Sequence, residues 1–564
     1  MILLGRSMIS VPPSLFRRGF SHANKEVRMK PPTRLRAPFH GALPILWFSL
    51  ALLALSIQPA AQGRAAHAAP APQSAVAAIE GIVKEAHFAD DYIVYWADYA
   101  IKDRFDLYSA PVAGGVATRL TASLPAGTIE SFKVAGGYVV FGFRSDANNR
   151  RYLYSIPAAG GALTLLGPTY PANPPHWVGS QLVFGIAGER VVFAVDAQVP
   201  NGFELYSAPL AGGPAVRLSP ELPPVAVQYP APFWVTSFAI DDGAGRHVAL
   251  NVNKGPVAQG SGLYAAPADG STPPTRISDA IETQLHDTFD LTPDGQYVVY
   301  IRGTELHTVR FAGGGDALID TGTISGWKFA ITPDSARIVY APNTWPSTIK
   351  SAPIGGGTPV FVADSASAAF QLTPDGARVF YGDADLTGLF FAPVLGGAAQ
   401  PVFNTPLGGV NFSADGAYAV FVAGEDAARG LYSYAIPDGP AVRIDDPAAS
   451  LGGMLLFEGV LAAERALYTA SNTAAPDTYR LYSVPFAGGA ATPLTGDLGY
   501  EQELIWVREA LGNQVLFTSG TRMNGPTRWH RLYVVPADGS APPRLVDTPR
   551  RPGADGLFLP LLSR

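Results

Sequence analysis

The chain contains no cysteine. That excludes disulfides, a thiolate metal site and a cysteine nucleophile. Charged residues make up only 15% of its 564 residues, too few for a disordered chain or a long coiled coil. No apolar stripe of 3.6-residue period survives along the chain, which excludes helical repeats. What is abundant is glycine, 60 residues, and proline, 51. They follow no three-residue period, so collagen is excluded and turn-rich β structure is favoured.

The first seventy residues read as an address rather than as fold. Residues 1–40 hold eight basic residues and one acid, Glu26. The apolar run ALPILWFSLALLALSI follows at Ala42–Ile57, and then the small residues Ala66-His67-Ala68. Positive, apolar, then small is the order of a secretory signal. Residues 1–68 are therefore expected to form a signal peptide with a long basic leader, Met29 being an alternative start. An uncleaved membrane anchor is the competing reading. A short linker, 69–79, precedes a repeat array over 80–564. The expected location is exported: periplasmic, cell-surface or extracellular. Without residues 1–68 the chain keeps 31 basic and 45 acidic residues, a net charge near −14. That disfavours a nucleic-acid partner, which needs a basic face.

The array is built from one phrase. Leu107-Tyr108-Ser109-Ala110-Pro111 leads to Gly114-Gly115, and the phrase returns at Leu153-Tyr154-Ser155, Leu205-Tyr206-Ser207 and Leu481-Tyr482-Ser483. Looser copies at Leu263, Leu306, Ile349, Leu389, Leu431 and Leu532 bring the count to ten. Their mean spacing is about 47 residues, the period of propeller blades. Each phrase reads as a hairpin, its Gly-Gly or Asp-Gly pair supplying the positive φ of a tight turn. The strand after the turn carries Arg and Pro, as at Pro542-Pro543-Arg544. Both suit an outer edge, where a missing donor costs little and charge blocks stray pairing.

A second hairpin lies upstream. Leu291-Thr292-Pro293-Asp294-Gly295 precedes Tyr297-Val298-Val299-Tyr300, and close variants stand at Ile331, Leu372 and Phe412. The strand after each turn is apolar on both faces, as a strand packed between two neighbours requires. Two hairpins make four strands, one blade. The Pro-Asp-Gly copies resemble the repeats of TolB-type propellers, relatives of the WD-repeat and peptidase propellers. The resemblance covers about residues 80–547 and implies an all-β propeller of about ten four-stranded repeats, as one large ring or two adjacent rings. It implies little about activity, because such propellers serve many tasks.

The chain shows no Gly-x-Ser-x-Gly elbow, phosphate loop, dinucleotide fingerprint or His-Glu-x-x-His. No catalytic residue, cofactor or metal site is assigned. Asp383 and Asp385 share a loop, but Ca²⁺ needs six or more oxygens and a solvated loop is the plainer account. His307 occupies a position held elsewhere by Tyr, so a structural role is expected. The candidate ligand-binding set is His286, Asp287, Trp327, Lys328, His176 and Trp177, all placed just before or at the start of inner strands. Trp234 has the same placement. Propeller inner strands approach the axis, so residues distant in sequence are expected to converge there. Blade-to-blade packing is the plainer account of the tryptophans. The function expected is a non-catalytic exported propeller, binding or scaffolding, that recognises a protein, peptide or glycan on one face. A propeller-type polysaccharide lyase or glycosidase is the alternative, and it requires clustered His or paired carboxylates at the mouth.

Overall fold

The computed structural model describes Ile9–Ser10 and, within 81–546, all residues except 102, 168–182, 200–201, 222–233, 242, 254–260, 279–288, 323–326, 343, 386, 405–408, 425–428, 449–454, 458, 473–474, 497–502 and 522–527. Apart from Ile9–Ser10, which pairs with Ser237 and Phe238, the expected signal and linker lie outside these residues, as does the tail Leu557–Leu562. Strands are the only regular elements among the described residues.

The first blade shows the plan. Strands Val83–Ala89, Tyr92–Ile101, Arg104–Pro111 and Thr118–Arg119 pair in sequence order, each antiparallel to the last. Nine more blades follow, at 127–166, 184–217, 234–278, 289–321, two within 327–404, 411–443, 455–493 and 503–545. Blades 3 and 4 join through a parallel pair, Phe203 with Trp234. Blades 6 and 7 share one long strand, Val360–Leu372. In blade 9 the inner strand is broken into Leu455–Leu456 and Leu461–Ala462.

The cores decide between one ring and two. Each apolar cluster lies between consecutive blades. Leu107 and Leu120 of blade 1 meet Phe132 and Phe141 of blade 2; Leu205 and Val192 of blade 3 meet Phe238 and Leu250 of blade 4. The series continues without a skip to blades 9 and 10. The last cluster joins Leu516, Leu532 and Val534 of blade 10 to Val83, Tyr95 and Tyr108 of blade 1. Ten blades with ten successive interfaces make a single closed ring.

The repeated phrase is explained residue by residue. Side chains alternate across a strand. Leu of Leu-Tyr-Ser enters the core shared with the next blade, as Leu205 does; Tyr enters the core shared with the previous one, as Tyr206 does. In register the aromatic sits opposite a second-strand partner. Tyr95 faces Tyr108 with ring centroids 5.6 Å apart, Tyr468 faces Tyr482 at 5.3 Å, and Phe517 faces Tyr533 at 5.2 Å. The Ser hydroxyl then ties blades together. Ser155 donates to the Leu210 carbonyl, Ser207 to that of Ala268, and Ser483 to that of Ala537.

The upstream turns are locked by their own polar residues. Thr332 Oγ1 donates to Asp334 Oδ1 at 2.5 Å, and the same carboxylate accepts the Ala336 N–H at 3.0 Å. These bonds hold Asp334 below the usual carboxylate range. Thr373–Asp375 and Ser413–Asp415 repeat the arrangement.

In the downstream turn, Gly212 has φ +89° and its N–H donates to the Pro209 carbonyl at 2.9 Å. A Cβ there would stand 2.5 Å from Thr164 Cγ2 of the previous blade. Gly488 has φ +87°, yet its nearest neighbour, Ile444 Cγ2, would be 4.0 Å away. Gly212→Val should therefore cost about 2–3 kcal/mol and Gly488→Val about 1 kcal/mol, strain alone acting in the second. Denaturant melts of the two variants test this, and equal losses would show that the contact with Thr164 is unimportant.

Candidate functional site

Strand direction sorts the connections onto two ends of the ring. Turns between first and second strands and between third and fourth strands share one end. Connections between second and third strands, and between one blade and the next, share the other. Of the six residues chosen from the sequence, Trp327 and Lys328 belong to the second end. His176, Trp177, His286 and Asp287 lie outside the described residues. Trp327 and Lys328 open the inner strand of blade 6, Trp327–Ile331, and Trp234 opens that of blade 4. Lys328 is exposed.

Blade 6 carries a further residue on this end that sequence reading did not single out. Its second strand ends at Pro342, opposite Trp327 in register, and its third begins at Ser347. The connection between them is pinned by its own bonds. Ser347 Oγ donates to the Pro342 carbonyl at 2.8 Å, the Thr344 N–H donates to the same carbonyl at 2.8 Å, and Thr344 Oγ1 donates to the Pro346 carbonyl at 3.0 Å. On this loop Trp345 stands 60% exposed. An indole held this far into water by a hydrogen-bonded loop loses little entropy when a ligand stacks on it. The signal was present in the sequence, a Trp flanked by Thr and Pro between two strands, but its distance from an inner strand hid it.

Polar groups surround this end of blade 6. Thr348 Oγ1 donates to Asp364 Oδ1 at 3.2 Å. Lys350 occupies the position of the stacked aromatic, and its ammonium is 2.8 Å from Asp320 of blade 5, which also accepts the Tyr340 hydroxyl at 3.1 Å. On blade 7, Asp383 is consumed by its own loop: it accepts the N–H groups of Thr387 and Gly388 at 2.7 and 3.0 Å and the Thr387 hydroxyl at 2.6 Å. Its carboxylate is thereby kept below the usual range despite partial burial, which pushes the other way. No group of three metal-ligating side chains occurs among the described residues.

His307 is built into blade 5. It is 4% exposed, stacks on Tyr300 at 5.2 Å, and lies 3.0 Å from Glu305 and 3.1 Å from Asp316. That agrees with its Tyr-like position in the repeat. Among the described residues His87 is the most perturbed histidine, and it was not singled out from the sequence. It lies on the inner strand of blade 1, 2.9 Å from Glu85 and 3.3 Å from Glu509 of blade 10. Burial alone would lower its pKa, but the bonds and charges of Glu509 and Glu85 prevail and raise it to about 9. Glu509 also accepts the Phe88 N–H at 2.9 Å, and Arg508 donates to the Lys84 carbonyl at 3.1 Å. This cluster belongs to the seam that closes the ring.

The opposite end holds a cleft of about 910 Å³ between blades 3 and 4, lined in part by Glu189, Arg190, Arg246, His247 and Asp269. Its polar groups serve structure. Arg190 Nε donates to Ser207 Oγ at 3.0 Å, a clamp repeated by Arg337 with Ser351 at 2.7 Å and Arg465 with Ser483 at 2.9 Å. His247 Nδ1 lies 2.7 Å from Asp241, which also receives the N–H groups of its own turn.

No family model matches the chain, and no curated protein matches it. Solved structures do. The tricorn protease is 13% identical, covering 83% of this chain and 49% of its own, with a TM-score of 0.30. A crystal structure of the eukaryotic initiation factor is 12% identical, covering 73% and 97%, with a TM-score of 0.42. A putative TolB from Agrobacterium tumefaciens is 15% identical, covering 47% and 91%, with a TM-score of 0.23. This chain thus spans about half the length of the tricorn protease chain. Likeness at these identities concerns the propeller-type fold alone.

Proposed function

We propose that the protein is an exported, non-catalytic β-propeller that binds a protein, peptide or glycan on the end of the ring carrying Trp345, Trp327 and Lys328. The observation that supports this reading is Trp345, 60% exposed on a loop closed by three internal hydrogen bonds. His176, Trp177, His286 and Asp287, which precede the inner strands of blades 3 and 5 in the sequence, are proposed to extend the surface. Export rests on the signal-like layout of residues 1–68. A mature chain beginning near Ala69 in mass spectra of the exported protein is the expected result, and one still holding Trp47 would refute cleavage.

Trp345→Ala is expected to weaken binding by about 2 kcal/mol, the scale of an aromatic anchor, and to leave the fold intact because the side chain lies in solvent. Glycan and peptide arrays probed with the wild type and this variant test the proposal. Equal binding by both would remove the site. Product formation that depends on His176 or His286 would instead favour the lyase or glycosidase reading.

A further inference from the structure

Ten copies of one rim position offer an internal comparison. In each blade the outer strand sets one residue in register against the third-strand aromatic or its substitute. That residue is Arg in blades 1, 3, 4 and 8, as with Arg119 and Arg217, Pro in blades 7 and 9, and Leu in blades 2 and 10, where Leu165 and Leu545 are 38% and 45% exposed. Charge and a missing N–H both protect an exposed edge from pairing with another chain. Blade 6 has Phe361 there, opposite Lys350, and the ring is 56% exposed. Its neighbour blade 5 has Leu318, 50% exposed. From blade 7 the turn residue Leu395, 69% exposed, comes next to Gly396, whose Cβ position is 2.9 Å from the Phe361 carbonyl oxygen. Three consecutive blades therefore leave apolar side chains in water at the rim.

The backbone of this edge is also open. Val360–Ala363 pairs inward with Ile349–Ser351, and no strand among the described residues pairs with it on the outer side. The strand is 13 residues long, the longest among the described residues, because it continues into blade 7 as an inner strand. It is thus anchored at both ends. A register shift falls opposite Ile349 and Lys350. A row of unpaired N–H and C=O groups is matched by extended main chain and not by a helix, whose groups bond internally. Asp364 beside it is exposed and has no cation partner among the described residues.

We infer that the rim of blade 6 is a strand-addition site for an extended segment of a partner polypeptide. The segment lies beside Val360–Ala363 as a fifth strand, covers Phe361 and Leu395 with alternate apolar side chains, and places a basic residue near Asp364. This is the mode in which main-chain bonds give affinity and alternate side chains give specificity. It is independent of the surface around Trp345.

The test uses the full mature chain and a labelled ten-residue peptide that alternates Val or Phe with Lys or Thr. A matched peptide with Pro at alternate positions, unable to donate, is the control. The first peptide should bind and the second should not. Phe361→Arg, the residue found in four other blades, should weaken binding about tenfold without shifting the melt, and Trp345→Ala should leave it unchanged. Amide exchange at Val360–Ala363 in the wild type should slow when the first peptide is added, a reading that needs no variant. Equal binding of the two peptides, unchanged exchange, or insensitivity to Phe361→Arg would overturn the inference. A wild-type dimer in sedimentation that Phe361→Arg converts to monomer would also overturn it, in favour of a second copy of this chain on the rim.

Discussion

Leu532→Ala is expected to destabilise the protein by about 2–5 kcal/mol, the range for removing a buried leucine side chain without collapse of the surrounding core. Leu205→Ala should cost the same. Both leucines are fully buried, and both hold the first position of the repeated phrase. Leu205 enters the core shared by blades 3 and 4. Leu532 enters the core shared by the last blade and the first. In an open array the second contact would be missing, and Leu532 would face water or an imperfect lid. Chemical denaturation of both variants therefore measures closure directly. A cost near zero for Leu532→Ala beside a full cost for Leu205→Ala would mean that the ring is open.

The second large effect is a loss of stability at alkaline pH, traced to the same seam. The His87 imidazole is held charged between Glu85 and Glu509 with a pKa of about 9, against 6.5 unperturbed. A histidine raised on folding contributes its full stabilisation below the unfolded value. That contribution declines from pH 6.5 upward and is gone once pH passes about 9. The side chain is 35% exposed, so water screens the pair and the contribution is on the order of 1–2 kcal/mol rather than the full value of the shift. Melting temperatures from pH 6 to 10 should fall for the wild type more steeply than for His87→Gln. Parallel curves would sink this account. Glu509→Gln should reduce the difference, because the Gln side-chain oxygen can still accept the Phe88 N–H while the charge facing His87 is lost.

The fold was legible because the repeat carries its own instructions. Leu107, Tyr108 and Ser109 alternate on a strand, and the paired glycines at 114 and 115 have φ values of +101° and +145° that few other residues tolerate. Ten such phrases are enough to count blades. Whether the count closes as one ring was not legible, because closure depends on contacts across more than 400 residues, such as Glu509 with Phe88. The candidate surface was legible only in part. Trp327 and Lys328 were chosen because they begin an inner strand, and the structure puts them there. Trp345 escaped because its importance lies in exposure, which depends on how its loop is bonded. His87 escaped for a similar reason: its Glu509 partner is a neighbour only in the closed ring. Phe361 becomes conspicuous only when compared with nine equivalent positions, and that comparison needs strand register.

Ten blades have a geometric consequence for recognition. A full turn shared by ten sectors rotates neighbours by about 36°, against about 51° in a seven-sector ring. With sheets spaced by about 10 Å, the shallower wedge moves the inner strands outward, and the axial opening widens with the number of sectors rather than with any one side chain. Here the strands that begin at Trp234 and Trp327 stand two sectors apart, and side chains on opposite arcs are separated by the whole opening. A ligand smaller than the opening therefore meets an arc of blades and not the full circle. Different arcs are free to carry different surfaces, so the tryptophan-bearing end of blade 6 and its apolar rim can be occupied, altered or lost separately.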